Sequence, residues 1–373
     1  MNQWPYFNQA QGNIVKKVLL SNKINYLNGT EGVKFENEFS KYIGTKYSVA
    51  VSNGTLALEL ALISLNLKSG SEVIVPSKTY VATASSVLNV GLKPKFADID
   101  LNSQNVNIKT IKDCYSKKVK AIICVHLAGY PCEIDLIKKF CKSKKIYLIE
   151  DCSQAHGAFY KKKSVGSFGD ISTWSFCQDK IISTGGEGGM ISMNSKKIRD
   201  IIWSLKDHGK SYKLYNKKYN TVGFKWLHSN IGTNARLTEM QSALGRYQLR
   251  KLNNWVKKRR LNGEYINNIF KKYPDYFTTI SVPKYSYHSM YRCYIYINFE
   301  KFNKKWSKEN ILQFFINNKI QCSEGSCSEV YLEKYFKNNN SINNKKYHTN
   351  AKIISKKAIA FLVHPDLSKN YLK

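Results

Sequence analysis

Short β-rich runs alternate with helical stretches between residues 47 and 151. The β-rich runs are YSVAVS, EVIVP, PKFADI, KAIICVHL and IYLIED, and stretches such as LALELALISLNL and IDLIKKFCKSKK separate them. This order predicts a parallel sheet with helices on both faces, because parallel strands are joined by crossovers that are usually helices. Ligands of such sheets bind at the carboxyl ends of the strands. Polar motifs at those ends are therefore the candidate site.

The stretch from residue 149 to residue 189 concentrates reactive side chains. Asp151 ends one apolar run, a second run, DISTWSF, contains Ser175, and Lys180 follows that serine five positions later. Desolvation of a lysine beside a buried strand disfavours the ammonium and leaves a nucleophilic amine. In a chain this rich in lysine, however, a single lysine is ordinarily a solvated surface residue. Asp151 has the equally plain alternative of a helix-capping acid.

Five motifs together give these residues a context. They are NGT at 53–55, PSKTYVATA at 76–84, EDCSQAHG at 150–157, WSFCQDK at 174–180 and GTNARLTEMQSALG at 232–245. In that order they resemble the DegT/DnrJ/EryC1/StrS family of sugar aminotransferases, which use pyridoxal 5'-phosphate (PLP) on a fold-type-I, aspartate-aminotransferase-like scaffold. The similarity runs from about Trp4 to His364.

The resemblance implies an α/β fold in two parts. We expect an amino-terminal arm and a large PLP-binding domain over residues 1–250, with a mostly parallel central sheet flanked by helices. A smaller C-terminal α+β domain is expected over 251–373. The polar, low-complexity segment KNNNSINNKK at 337–346 predicts a flexible loop within it.

The resemblance also assigns the residues that act on the cofactor ring. Lys180 binds PLP covalently and moves the substrate proton. Asp151 pairs with the pyridine nitrogen and keeps it protonated, so that the ring accepts electrons. Gln154 hydrogen-bonds the phenolic oxygen. Tyr80 stacks on the ring face, although core packing is the default interpretation of a single tyrosine.

A second group of residues is expected at the PLP phosphate. The NGT motif starts a helix after a strand, where free amides and the helix dipole favour an anion; a threonine N-cap explains the motif about as well. By resemblance, Gly54, Thr55 and Ser175 bind the phosphate. Asn234 reaches the phosphate of the partner subunit in a homodimer, so that one subunit alone has an incomplete site.

Composition limits the other possibilities. The 59 Lys+Arg against 26 Asp+Glu give a net charge of +33, which raises the question of nucleic acid. The charge is spread along the chain, and abundant Lys, Asn and Ile indicate an AT-rich coding sequence, so no nucleic-acid partner is expected. Attraction of an anionic substrate such as a nucleotide sugar, or of anionic lipid, stays open.

The cysteines and the apolar runs bear on the compartment. Nine scattered cysteines without a CxxC pair predict reduced thiols, with no disulfide framework and no metal site. No apolar run approaches the ~20 residues that span a bilayer. We therefore expect a cytoplasmic protein without membrane insertion.

The resemblance implies an aminotransferase that moves an amino group from an amino acid, expected to be glutamate, to a nucleotide-linked keto-sugar for surface glycan biosynthesis. Some members of the family are dehydratases with histidine in place of the lysine, and the retained Lys180 argues against that branch. The alternative is a catalytically retired scaffold that serves as a basic binding or regulatory protein, because a fold does not guarantee its chemistry.

Overall fold

The computed structural model describes residues 4–219, 222–303, 305–339 and 348–367. Within these ranges the strands β1 to β14 are Tyr47–Val51, Glu72–Pro76, Lys93–Ala97, Val119–Val125, Tyr147–Asp151, Phe159–Tyr160, Lys163–Ser164, Ile171–Ser175, Gly189–Met193, Phe277–Thr279, Ser286–Tyr287, Cys293–Ile297, Cys322–Ser323 and Ala358–Phe361. The helices α1 to α12 are Gln9–Leu20, Glu31–Ile43, Gly54–Ser64, Ala82–Asn89, Ile108–Cys114, Ile134–Lys144, Lys196–Lys206, Tyr212–Tyr215, Glu239–Phe270, Lys308–Asn317, Lys334–Lys337 and Thr349–Lys357.

A seven-stranded sheet organises the larger part of the chain, in the order β1-β9-β8-β5-β4-β2-β3. The pairs β2/β3, β2/β4, β4/β5 and β5/β8 are parallel, and β9 runs antiparallel to both β1 and β8. The carboxyl ends of β2, β4, β5 and β8 therefore share one edge. Asp151 and Ser175 end the neighbouring strands β5 and β8, so the topology brings two candidate site residues to the same place.

Both faces of this sheet are covered by helices, which explains why its strands are nearly continuous apolar runs. Successive residues of β2 belong to opposite cores: Val73 packs in the cluster with helix α3, and Ile74 packs in the cluster with helix α6. Fully burying an aliphatic side chain contributes roughly 1.5–3 kcal/mol. This two-sided burial fixes the strand register, since a one-residue slip would exchange the two faces.

A smaller antiparallel sheet, β10-β12-β14-β13, forms a separate layer after helix α9. Its core includes Ile295, Phe361 and Ile266, the last of which lies on α9. The predicted boundary after residue 250 falls inside this 32-residue helix, and the division into two domains stays a prediction. A three-stranded sheet, β11-β6-β7, lies beside the larger sheet.

Two further predictions concern the polar loop and the absence of membrane insertion. Of the loop expected at 337–346, residues 340–346 lie outside the described residues. Among the helices that are described, none is both long enough and apolar enough to cross a membrane.

Candidate functional site

The first residues of helix α3 form one wall of the site. Asn53 is the N-cap, and its side chain accepts a hydrogen bond from the backbone N–H of Leu56 over 2.9 Å. The cap is therefore the asparagine, so the alternative of a threonine cap at Thr55 is wrong. The first N–H groups of a helix have no intrahelical acceptor and, with the helix dipole, favour an anion.

Glycine is required at position 54 because of a close approach between three elements. A Cβ atom on Gly54 would lie 2.7 Å from the Cβ atom of Ser175, at the end of β8. A Cβ atom on Gly189, at the start of β9, would lie 2.4 Å from the carbonyl oxygen of Asn53. The start of α3 and the end of β8 thus bring the hydroxyl of Ser175 beside the helix terminus, and this cradle suits a phosphate group.

Asp151 is a buried carboxylate held by hydroxyl and amide donors. Its Oδ1 atom accepts hydrogen bonds from the N–H of Ser153 (3.1 Å) and from the hydroxyl of Ser153 (2.6 Å). Its Oδ2 atom accepts one from the hydroxyl of Thr83 (3.0 Å). Among the described residues no cation lies within 4.0 Å of it, and a buried carboxylate is stabilised by a positive partner. A protonated pyridine nitrogen fits this requirement.

Gln154 is fixed at one end and has donor capacity left at the other. Its Oε1 atom accepts a hydrogen bond from the N–H of Ala128 over 2.8 Å, and its Nε2 atom donates one to the hydroxyl of Ser326 over 3.2 Å. An amide nitrogen carries two hydrogens. The second hydrogen can serve an oxygen of a bound group.

Lys180 lies on the loop after β8, largely buried. Its Nζ atom donates a hydrogen bond to the Oη atom of Tyr291 over 3.4 Å, and it lies 3.4 Å from Oδ1 of Asp179. Tyr291 in turn donates to Asp179, which also pairs with Arg292 over 3.2 Å. These contacts connect the lysine loop to the residues that precede β12.

The charge state of Lys180 differs from the sequence-based expectation. Burial lowers the pKa of its amine, but Tyr291 and Asp179 raise it by more, so the pKa of Lys180 lies above its ordinary value. The expectation that desolvation leaves a neutral amine is therefore wrong, because it did not include these two neighbours. The raised pKa favours the ammonium form of Lys180, which would have to lose a proton before it could act as a nucleophile.

The amino-terminal arm reaches the same loop. The indole Nε1 of Trp4 donates a hydrogen bond to the carbonyl oxygen of Lys180 over 2.8 Å. The Trp4 ring packs edge-on against Trp255, with centroids 5.1 Å apart, and the guanidinium of the buried Arg259 lies 4.8 Å from its centroid. The arm thereby fixes the backbone of Lys180.

Two predicted site residues face solvent in the single chain. The Tyr80 side chain is 67% exposed, which excludes the alternative of core packing. Asn234 is also exposed, on a segment that bridges to Asp207. The structure thus gathers Gly54 with Ser175, places Asp151 and Gln154 at the end of β5, and leaves Tyr80 and Asn234 open to a ligand or another chain.

A cluster of His126, Glu150 and Cys152 has its potential ligand atoms within 4.8 Å of one another, all buried. Both ring nitrogens of His126 are occupied: Nδ1 accepts from the N–H of Cys132, and Nε2 lies 3.0 Å from Glu150. Glu150 also accepts three hydrogen bonds from the backbone amides of Gly166, Phe168 and Gly169. These contacts satisfy the cluster internally, which favours a role in supporting β5 over a role in binding metal.

Sequence reasoning did not identify Thr83, Asp179, Tyr291 or the exact contact of Trp4. Thr83 belongs to the motif PSKTYVATA and Asp179 to the motif WSFCQDK, so their polar side chains could have identified them as candidates. Tyr291 carried none, because it lies 111 positions from Lys180 and only the fold brings the two together.

Comparisons with known proteins agree with this arrangement. A family model described as "DegT/DnrJ/EryC1/StrS aminotransferase family" matches residues 6–373. The GDP-perosamine synthase of Escherichia coli O157:H7 is 39% identical over 253 residues. That match covers 68% of this chain and 64% of the relative, so it spans slightly less than two thirds of that protein.

Solved structures match over nearly the whole chain. The aminotransferase from Psychrobacter cryohalolentis is 41% identical with a TM-score of 0.97, over 100% of this chain and 95% of that one. E. coli GDP-4-keto-6-deoxy-D-mannose-3-dehydratase with bound hydrated PLP is 27% identical with a TM-score of 0.84, over 98% and 95% of the two chains. The predicted α/β fold, with its mostly parallel central sheet, is confirmed.

Proposed function

Because the chain belongs to the DegT/DnrJ/EryC1/StrS aminotransferase family, we propose that it transfers an amino group from an amino acid to a nucleotide-linked keto-sugar. The family and the PLP cofactor, both predicted from the motifs, are confirmed. The observation that carries the proposal is the largely buried side chain of Lys180 on the loop after β8, where the Gly54–Ser175 cradle lies at the same sheet edge as Asp151. A retired scaffold would have no need to keep these three features together.

Each proposed cofactor contact corresponds to one of these groups. Gly54 and Thr55 at the start of α3, with the hydroxyl of Ser175, hold the phosphate. Asp151 pairs with the pyridine nitrogen, and Gln154 donates to the phenolic oxygen. Bound PLP supplies an electron sink for the bond broken at the substrate carbon.

Lys180 is the proposed acid and base. Its Nζ atom removes the proton from Cα of the amino acid and later returns a proton during amination of the keto-sugar. Since the pKa of Lys180 is raised in the chain as described, the ammonium first gives up a proton. Tyr291, whose hydroxyl accepts from Nζ, holds the amine in place while this happens.

The acceptor is proposed from the charge and from one relative. The chain carries a net charge of +33, which attracts the diphosphate of a nucleotide sugar. The name of the E. coli relative, GDP-perosamine synthase, specifies an amino sugar carried on a nucleotide. We propose glutamate as the donor and a surface glycan as the destination of the product.

The proposed assembly is a homodimer. Asn234 is exposed and belongs to the segment that also presents some of the most exposed apolar side chains of the described chain, namely Val222, Phe224, Trp226 and Ile231. Exposed apolar groups in such density mark an interface. We propose that this segment packs on a second copy of the chain and brings Asn234 to the phosphate of the partner's site.

The proposed compartment is the cytoplasm. The cysteines are all free thiols, and most of them are buried. A reducing compartment preserves such thiols.

The test combines PLP-loaded protein, glutamate and a panel of GDP-, dTDP- and UDP-linked keto-sugars. Mass spectrometry detects replacement of the keto oxygen by an amino group, and a coupled assay detects 2-oxoglutarate. Lys180→Ala is expected to reduce turnover by about 10³-fold or more. Lys163→Ala, which removes an exposed lysine on β7, keeps wild-type turnover. Wild-type protein that binds PLP but aminates none of these sugars would instead support the retired binding protein.

A further inference from the structure

Lys78 is a fully buried lysine two residues beyond the end of β2. Its Nζ atom donates hydrogen bonds to the carbonyl oxygen of Ser326 (2.9 Å) and to the hydroxyl of Ser328 (2.6 Å). It also lies 5.3 Å from the ring centroid of Tyr294. In the described part of the chain no carboxylate comes within 4.0 Å of this amine. Burying an amine without a counterion destabilises the folded state. The presence of a lysine at position 78 therefore needs an explanation.

The segment that Lys78 holds docks along the end of β2. The N–H of Thr79 donates to the carbonyl oxygen of Cys327 over 3.1 Å, and the N–H of Val330 donates to that of Ser77 over 2.9 Å. The segment 326–330 follows β13 of the smaller sheet, whereas 77–79 belongs to the edge of the larger sheet. Lys78 therefore joins the two sheets at the rim of the candidate site.

The other side of the same segment contacts a proposed cofactor ligand. The hydroxyl of Ser326 accepts a hydrogen bond from Nε2 of Gln154 over 3.2 Å. Lys78 and Gln154 thus bind one serine, the first through its carbonyl oxygen and the second through its hydroxyl. Beside them, the hydroxyls of Thr79 and Thr83 lie 2.9 Å apart, and Thr83 donates to Asp151.

We propose that Lys78 is a positioning residue that clasps residues 326–328 against the end of β2 and so keeps the free donor of Gln154 directed at the cofactor site. The inference rests on the proposed function for what Gln154 binds, but the clasp itself is independent of it. Lys78 is fully buried and acts through Ser326, so it is not a catalytic residue.

The protonation chemistry of Lys78 suits this role. A neutral amine has two hydrogens, and the site offers two acceptors. Burial is the main cause that lowers the pKa of Lys78 to about 7; Lys308 lowers it further, while Cys327 and Glu324 oppose the shift. Above pH 7 the clasp is therefore satisfied without a buried unpaired charge.

Three variants separate the clasp from general damage. Lys78→Met keeps the apolar stem and removes both donors. Ser328→Ala removes one acceptor and leaves the carbonyl of Ser326, so it is the milder variant should Lys78→Met fold poorly. Lys161→Met is the matched control, because Lys161 also donates a hydrogen bond, to Asp135, and lies over the ring of Tyr160, and neither partner belongs to the segment 326–330.

The first readout is independent of catalysis. Hydrogen–deuterium exchange of the protein without added PLP is expected to rise in peptides covering 326–332 for Lys78→Met, less for Ser328→Ala, and not for Lys161→Met. The dissociation constant for PLP is expected to rise about 5- to 10-fold in Lys78→Met, which corresponds to the loss of one oriented hydrogen bond. The KM for glutamate changes less than kcat does.

A pH series gives a second readout. The folded state releases the Lys78 proton near pH 7 and the unfolded chain near the ordinary value of 10.5, so the unfolded state holds more protons between these values. Wild-type stability gains from this difference as pH rises from 7 to 10.5, and Lys78→Met lacks that gain. Unchanged exchange and PLP affinity in both Lys78→Met and Ser328→Ala would overturn the clasp even if the enzyme is active. A wild type without transaminase activity would overturn the proposed function and leave the exchange result to decide on the clasp.

Discussion

The Nζ atom of Lys180 lies 3.4 Å from the Oη atom of Tyr291, and Tyr291 donates its own hydrogen bond to Asp179. The amine of Lys180 is thus held by a residue that lies just before β12 of the smaller sheet. This contact helps to raise the pKa of Lys180, and it makes the protonation of the lysine depend on how the two sheets are packed.

Tyr291→Phe is therefore expected to ease attachment of PLP to Lys180. Removing the hydroxyl takes away one of the groups that raise the pKa of the amine, so the pH midpoint for attachment moves down. Absorbance titration of cofactor binding against pH measures this midpoint. Tyr287→Phe, on β11, is the control and leaves it unchanged; an unmoved midpoint in Tyr291→Phe would show that the hydroxyl does not set the charge of Lys180.

Gly54→Ala is expected to weaken PLP binding by about tenfold or more. The new Cβ atom would meet Ser175 at 2.7 Å, so the start of α3 must move away from the end of β8 and the phosphate cradle opens. Equilibrium binding of PLP measures the change. In Gly12→Ala the added Cβ has nothing within 4 Å, and that helix variant keeps wild-type affinity. Equal affinity in the two variants would place the phosphate elsewhere.

Asn234 can be assigned to its own or to the partner's site by mixing subunits. Asn234→Ala is expected to bind PLP about tenfold more weakly, and Lys180→Ala is expected to be inactive. Random exchange between equal amounts of the two variants restores about a quarter of wild-type activity at limiting PLP, because each mixed dimer contains one site without either change. If Asn234 served its own subunit, the mixture would show no more activity than its Asn234→Ala component supplies alone.

Buried neutral histidines predict a specific sensitivity to acid. Burial, together with the charges of Lys180 and Arg259, lowers the pKa of His156 to about 3, against 6.5 in the unfolded chain. The unfolded state therefore binds more protons between these values, and stability that is complete above pH 6.5 is lost as pH falls toward 3. His156→Phe, which can keep the ring contacts with Trp174 and Phe176, removes about 1.4 kcal/mol per pH unit from that slope.

Urea unfolding at several pH values between 6.5 and 4 measures this slope. His228→Gln changes an exposed histidine and is expected to leave it unaltered. A slope shared by wild type and His156→Phe would mean that His156 is protonated in the folded protein.

The features that could be predicted are those that depend on residues close together in the sequence. The apolar runs that became β1 to β5 follow from periodicity and from two-sided burial, and the motif residues at their ends follow from the rule that parallel strands share an edge. Gly54 and Ser175 are examples: Gly54 is the first residue of α3 and Ser175 is the last residue of β8, and the apolar pattern predicts both of these ends.

Contacts between distant segments were beyond the sequence. The raised pKa of Lys180 depends on Tyr291, and the environment of Lys78 depends on Ser326 and Ser328, which lie some 250 positions away. The antiparallel direction of β9 likewise does not follow from the βαβ alternation, because residues 176–188 connect it to β8 without a helix. Such features arise from tertiary packing, where a local pattern contains no information about the partner.

The hydrogen bond from Trp4 to the carbonyl of Lys180 has a practical consequence for handling the protein. An affinity tag fused directly before the arm would disturb the position of Trp4 and its hydrogen bond to the loop that carries Lys180. A spacer or a cleavable fusion avoids this disturbance. A difference in rate between tagged and cleaved preparations would then reflect whether the arm makes its contact with the Lys180 loop, and not a change in the chemistry of the lysine.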